Sequence, residues 1–317
     1  MHNSKDIITL TLNPCLDISA EIEQLAPTKK MRCFNHRIDP GGGGINVSRA
    51  ITILGGSSTA IFPQGGSTGE SVARLLEEQH VSFQPIDIDE VNRQSFAIHE
   101  QESNQQYRFS LPGPELKEET WKNCFEKIVK ISPTPQFIVA SGTLPPGVPK
   151  DFYGQLAAHF KNSSTRIVLD TSGESLQYAL DAQVYLIKPN RRELEYICQC
   201  SLSENKDQEK KCREIVEQGG CEVLVLTLGK DGALLITKNE QFRVPGIEAE
   251  VVSAVGAGDS FLGAMIFALQ QEEKLQDAFL YGIAAGTAAL ATEATILCHK
   301  DDTEDFYQQL QKEYGSA

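Results

Sequence analysis

The chain has 317 residues, 40% of them hydrophobic, and a formal charge of −14 at pH 7. That length suits one large α/β domain, or a large domain with a small appendage, and the composition is that of a folded protein. No apolar run approaches the ~18 residues of a membrane span, the first residues lack a secretory signal, and no basic block offers a nucleic acid anything to hold.

In chain order, residues 7–12 read as a core strand, and 17–22 and 31–34 as short, partly polar strands. Period-two alternation predicts a hairpin of 94–100 and 106–111 that turns through 102–104. From about residue 134 apolar strands alternate with amphipathic helices. The strands fall at 136–140, 166–169, 184–187 and 222–226, and the helices near 151–162, 173–182, 191–200 and 205–218. The pattern predicts an α/β fold: a mostly parallel central sheet with helices on both faces, binding ligands at the carboxyl ends of its strands. The early strands predict a small β-sheet lid, formed by about 14–38 and 90–111 of a single domain spanning 1–317. One apolar face of such a lid is free to pair with another subunit.

The eight cysteines are scattered, and the spacing of Cys198 and Cys200 is not that of a zinc site. Free thiols in a reducing cytoplasm are expected. The six histidines show no ligand spacing either.

The segment Ala254-Val-Gly-Ala-Gly-Asp259 precedes a long apolar run. It predicts a helix N-terminus whose free amides and dipole attract anionic oxygens, with a carboxylate beside them. Such a carboxylate can take a proton from an alcohol that attacks a phosphoryl group, or Asp259 can simply cap the helix. Gly41 to Gly44 precede a second helical pattern and let backbone amides approach a ligand, unless they form an unliganded hinge. A dinucleotide fingerprint at Gly42-x-Gly44 is disfavoured because no apolar strand runs into the glycines and residues 59–63 contain no acid.

Asp17 follows the first strand and is either a sugar-hydroxyl acceptor or a turn residue. Lys188, Asn190 and Glu193 close another strand, where they can serve phosphates and metal-bound water or simply start a helix. An acidic enzyme of phosphorylated substrates must also build a local basic cluster. Its candidates are Lys29, Lys30, Arg32, Arg37, Arg93 and Arg108.

Taken in order, Pro40-Gly-Gly-Gly-Gly-Ile-Asn-Val47, Ser141-Gly-Thr-Leu-Pro-Pro-Gly-Val148, Leu186-Ile-Lys-Pro-Asn190 and Val255-Gly-Ala-Gly-Asp-Ser260 resemble the ribokinase/PfkB family of sugar kinases along essentially the whole chain. The likeness is strongest to its PfkB-type 6-phosphofructokinase branch. The resemblance implies a ribokinase-like fold and MgATP-dependent phosphorylation of the C1 hydroxyl of fructose 6-phosphate. Asp259 would be the base, with Gly256, Ala257 and Gly258 forming the anion hole. Lys188, Asn190, Thr227 and Gly229 would serve ATP, and Glu193 would hold Mg2+ through water. Asp17, Gly41, Gly42 and Asn46 would contact the sugar. Arg93, Arg108 and Ser141 would bind its phosphate together with Lys30 and Arg32 of the lid, these last reaching a partner in a homodimer.

Kinases of the family that act on other ketose phosphates typically carry Gly-Gly-Lys-Gly where this chain has Gly43, which favours fructose 6-phosphate. Tagatose 6-phosphate and fructose 1-phosphate are the alternative substrates, and a non-catalytic sensor on the same fold is the alternative of another class. Ser253 and Val255 would contribute to a K+ site, although the loop at 292–296 departs from the family pattern for one.

Overall fold

The computed structural model describes residues 6–249, 251–293 and 295–315. Ala294, within the 292–296 loop, therefore lies outside the described residues. The chain opens with β1 (Ile7–Leu10), β2 (Cys15–Ile22) and β3 (Phe34–Gly41), followed by α1 (Gly43–Ile53). Next come β4 (Thr59–Gln64), α2 (Gly66–Glu78), β5 (Ser82–Asp87), β6 (Arg93–Glu100), β7 (Gln105–Ser110) and α3 (Glu118–Ile131). The alternating part comprises β8 (Phe137–Ser141), α4 (Phe152–Phe160), β9 (Arg166–Asp170), α5 (Glu174–Asp181), β10 (Val184–Ile187), α6 (Arg191–Cys198), α7 (Asn205–Glu217) and β11 (Cys221–Thr227). It ends in β12 (Ala233–Thr237), β13 (Gln241–Val244), α8 (Ala257–Gln270), α9 (Leu275–Leu290) and α10 (Lys300–Tyr314).

Nine strands form one sheet in the order β13-β12-β11-β10-β9-β8-β1-β4-β5. It is parallel except where β12 pairs antiparallel with β11 and β13. The strands are apolar on both faces because both are covered. Phe137 and Val139 of β8 pack into a core with α1, α8, α9 and α10, while Ile138 and Ala140 pack into another with α3 to α7. After β1 the chain extends the sheet to one side through β4 and β5, and later to the other through β8 to β11. That switch opens a crevice at the carboxyl ends of the central strands.

The second sheet has the order β3-β2-β6-β7. The expected hairpin forms, with Glu100 opposite Gln105 through to Ser95 opposite Ser110. One expectation fails here. Residues 31–33 are not a strand, and β3 instead runs from Phe34 into the glycines. Residues 35–38 of β3 are exposed and mostly polar, so no apolar pattern betrays the strand. It pairs in the second sheet and does not open a βα unit of the main one. No helix of the described residues is long and apolar enough to cross a membrane.

Candidate active site

Helix α8 begins at Ala257 with Gly256 as N-cap, and Gly256 has φ 78°. A left-handed residue without a side chain is needed there, since a Cβ would also lie 2.5 Å from Leu297 Cδ2. The turn leaves the amides of Ala257, Gly258 and Asp259 directed out of the helix start. Asp259 is the third helical residue and not the cap. Its Oδ2 accepts a hydrogen bond of 2.9 Å from Asn46 Nδ2, donated by α1. Burial pushes this carboxyl up to about 7, helped by the charges of Asp170 and Asp17 and opposed by the Asn46 bond and Lys188. A carboxylate poised near neutrality beside exposed helix amides is suited to proton abstraction.

Lys188 follows β10 and is buried, with its Nζ 3.1 Å from Asp170 Oδ2 at the end of β9. Burial works against its charge, but Asp170, Asp259 and Glu193 outweigh it and hold the ammonium above the usual lysine range. A Cβ on Gly258 would sit 3.3 Å from the same Nζ, so the lysine and the helix start share one space. The next turn is a helix start, as one of its two readings has it. Asn190 and Glu193 form a reciprocal capping box, Glu193 N to Asn190 Oδ1 at 3.0 Å and Asn190 N to Glu193 Oε2 at 2.8 Å. The lysine two residues before them is nonetheless buried.

Asn190 also bridges to Thr227 at the end of β11. Beside them a cavity of about 610 Å³ is lined by Asn190, Thr227, Gly229, Gly246, Phe261 and Ile283, with Gly258 at its edge. A lining that mixes polar residues such as Asn190 and Thr227 with apolar ones such as Phe261 and Ile283 suits a nucleoside phosphate.

The sugar side is built by the second sheet. Pairing puts Asp39, Asp17 and Ser95 in one row and Arg37, Ser19, Ala97 and Arg108 in the next, so Asp17, Arg93 and Arg108 share a face. Burial raises the Asp17 carboxyl above its usual range, while the Cys15 thiol (3.1 Å to Oδ1), Arg93, Arg49 and Arg108 oppose the shift. Arg93 donates to Asn13 Oδ1 at 3.0 Å and to Ser110 Oγ at 2.7 Å, tying this face to the connection between β1 and β2. The glycines approach closely. A Cβ on Gly41 would meet Asp17 Oδ2 at 2.1 Å, and one on Gly43 would meet Ser141 Oγ at the same 2.1 Å. Gly42 has φ 115°.

Asn46, Lys188, Asp170 and Asp17 act on Asp259, Arg93 and Arg108 act on Asp17, Gly43 closely approaches Ser141, and Asn190, Thr227 and Gly229 share one cavity with Gly258. Lys30 and Arg32 stay on the exposed connection between β2 and β3, and no hydrogen bond or ion pair of the described residues joins them to this group. Arg37, one of the candidates for a local basic cluster, pairs with Asp39 at 2.6 Å. Val255 N donates to Ser253 Oγ at 3.2 Å, and Gln106 of β7 donates to the same oxygen at 3.4 Å. The hairpin therefore reaches the loop before α8.

Sequence reading misses Asp170, Arg49 and Asp39. Asp170 had a usable signal, a carboxylate at the carboxyl end of a buried strand. Arg49 had none, being one basic residue in a helical pattern.

Among the described residues no group of three or more His, Cys, Asp or Glu could cage a metal. The carboxylates of Glu193 and Asp170 are hard oxygen donors near Lys188, a set that fits Mg2+ held mostly by water and by phosphates.

The profile of the pfkB family carbohydrate kinases matches residues 10–302. The chain belongs to the pfkB family. It is 42% identical over 302 residues to the ATP-dependent 6-phosphofructokinase isozyme 2 of Mycobacterium tuberculosis (strain H37Rv), covering 95% of this chain and 89% of that one. To the isozyme 2 of Escherichia coli (strain K12) it is 39% identical over 307 residues, covering 96% and 99%. Phosphofructokinase-2 from Escherichia coli, solved with potassium and with substrates and products, superposes with a TM-score of 0.92 in both cases, at 39% identity over 96% of this chain and 99% of that one. A tetrameric inhibited form of that enzyme gives 0.90 at 38% identity with the same coverage. Membership in the pfkB family accounts for the ribokinase-like pairing of a large parallel sheet with a small separate one.

Proposed function

We propose that this chain transfers the terminal phosphoryl group of MgATP to the C1 hydroxyl of fructose 6-phosphate. The observation that carries the reading is Asp259, set at the start of α8, bonded to Asn46 and not to its own helix, and held near neutrality. ATP lies along the cavity beside Thr227 and Gly229 with its phosphates directed to Lys188 and the α8 amides. The sugar lies over Gly41 and Gly42, its hydroxyls on Asp17 and Asn46 and its 6-phosphate on Arg93, Arg108 and Ser141. Asp259 takes the C1 proton as the oxygen attacks, and the amides of Ala257 and Gly258 with Lys188 hold the charge that spreads over the phosphoryl oxygens. Glu193 would hold Mg2+ through water, and the ion would supply neutralisation of phosphate charge. Potassium would act through the Ser253–Val255 turn.

The deciding experiment compares fructose 6-phosphate, fructose 1-phosphate and tagatose 6-phosphate as acceptors with MgATP. A clear kcat/KM preference for fructose 6-phosphate is expected. Preference for another ketose phosphate would overturn the substrate, and turnover on none would overturn the kinase. Gly43 tests the same assignment. Gly43→Ala places its Cβ against Ser141, and is expected to raise KM for fructose 6-phosphate at least about tenfold while KM for ATP stays nearly constant.

The second sheet acts as a lid over the sugar and as the surface of a homodimer. Ile38, Ile18, Phe96 and Phe109 stand side by side across its four strands. The end members Ile38 and Phe109 are 42% and 53% exposed in the single chain. An apolar row of this length on an open sheet face seeks a partner. Phe109→Asp is therefore expected to yield a monomer by light scattering, with a higher KM for fructose 6-phosphate if Lys30 and Arg32 reach across. A wild-type monomer would refute the dimer. The cytoplasm is the compartment consistent with a glycolytic role and free thiols.

A further inference from the structure

Asp259 is the end of a hydrogen-bond chain that links α8, α1, β3 and the segment after α9. Asn46 donates to Asp259 through Nδ2, and its Oδ1 accepts 3.0 Å from Arg49 Nη1 one turn further along α1. Every arm of Arg49 is engaged. Nη1 also meets Pro40 O at 3.0 Å, Nε meets Gln79 Oε1 at 2.7 Å, and Nη2 meets Asp39 Oδ1 at 3.0 Å. Arg49 is 4% exposed and Asp39 1%, so each charge depends on the other. Asp39 Oδ2 accepts 2.6 Å bonds from Arg37 Nε of the second sheet and from Thr295 Oγ1, which lies beyond α9.

An asparagine amide has two orientations that differ by exchange of its oxygen and nitrogen. With its carbonyl turned to Asp259, Asn46 would set two acceptors against each other and leave the base misplaced. The guanidinium at Oδ1 forbids that orientation. We infer that Arg49 is a positioning residue, acting through Asn46 to orient Asp259, and that Asp39, held by Thr295 and Arg37, orients Arg49 in turn. The inference rests on Asp259 as the base. It makes the strand entering the glycines and the segment after α9 joint supports of one carboxylate. Lysine cannot replace Arg49, because a single ammonium cannot span acceptors arranged around a planar fork.

The test is a kinetic cycle on the full-length enzyme. Arg49→Lys is expected to lower kcat about tenfold or more, with KM for MgATP within about twofold of wild type. In an Asn46→Ala background the same substitution is expected to change kcat by less than about twofold, because its effect travels through the missing amide. Effects that multiply across the two backgrounds, or a kcat of Arg49→Lys within about twofold of wild type, would overturn the inference. A purely structural arginine lowers thermal stability alike in both backgrounds and gives no such kinetic coupling. Should Arg49→Lys not fold, Thr295→Val removes one bond to Asp39 at nearly constant volume. It is expected to lower kcat about threefold, again only while Asn46 is present, and an unchanged kcat would sink the proposal. Failure of the base itself registers separately, as retained turnover in Asp259→Asn.

Discussion

Replacing Asp259 with asparagine is expected to lower kcat by at least about a hundredfold while ATP still binds. The variant keeps shape and can still accept the Asn46 hydrogen bond, so what it loses is the proton acceptor. Wild-type kcat/KM is expected to fall tenfold per pH unit below about 7, where the carboxyl becomes protonated. The asparagine variant lacks that limb. Stability moves in the opposite sense. The folded protein holds this proton up to about 7 against an ordinary value of 3.8. The stabilisation that the protonated group provides is therefore full below about pH 4 and gone above about pH 7. The full shift would correspond to about 4 kcal/mol. Because the carboxyl opens partly to the cleft, a gain of about 1–2 kcal/mol is the realistic expectation for Asp259→Asn at pH 8. Thermal melts at pH 8 and pH 4 check it: the variant melts higher at pH 8, and the two proteins converge at pH 4. Near-normal turnover would exclude Asp259 as the base, whatever the melts show.

What the sequence revealed follows from how local each signal is. The Gly256 to Asp259 turn with its apolar helix, and strands such as β8 that are buried on both faces, are written within a dozen adjacent residues. The glycine run was legible as a site of close approach, though not the reason for each glycine, because Gly43 answers to Ser141 from a distant strand. β3 was hidden because it is polar and half exposed, its strand character imposed by pairing with β2. The Arg49 chain was wholly out of reach, since Thr295 and Asp39 are 256 residues apart. Arg37 shows the converse case. A basic residue in a basic stretch invites assignment to a phosphate, yet its partner is a carboxylate two positions on.

Lys188→Met is expected to cost both activity and stability, and a second substitution separates the two. Lys188 is 6% and Asp170 16% exposed in their side chains, so the methionine leaves Asp170 largely buried without its counter-charge. Removing one partner of a buried pair costs on the order of 3 kcal/mol. Because Lys188 is held above the ordinary lysine range by Asp170, it stays charged at all assay pH values, so the loss does not come from its own titration. The activity loss has another origin. Lys188 Nζ lies beside Gly258, at the mouth of the proposed anion hole, where phosphoryl charge would gather during transfer. Loss of that charge is expected to lower kcat about a hundredfold. It also removes a group that holds the Asp259 carboxyl down, so the acidic limb moves to higher pH. In Lys188→Met/Asp170→Asn no buried charge is left stranded. Thermal stability is then expected to return most of the way, while kcat remains low. Recovery of activity together with stability would show that Lys188 serves the fold alone, and would remove it from the phosphate site.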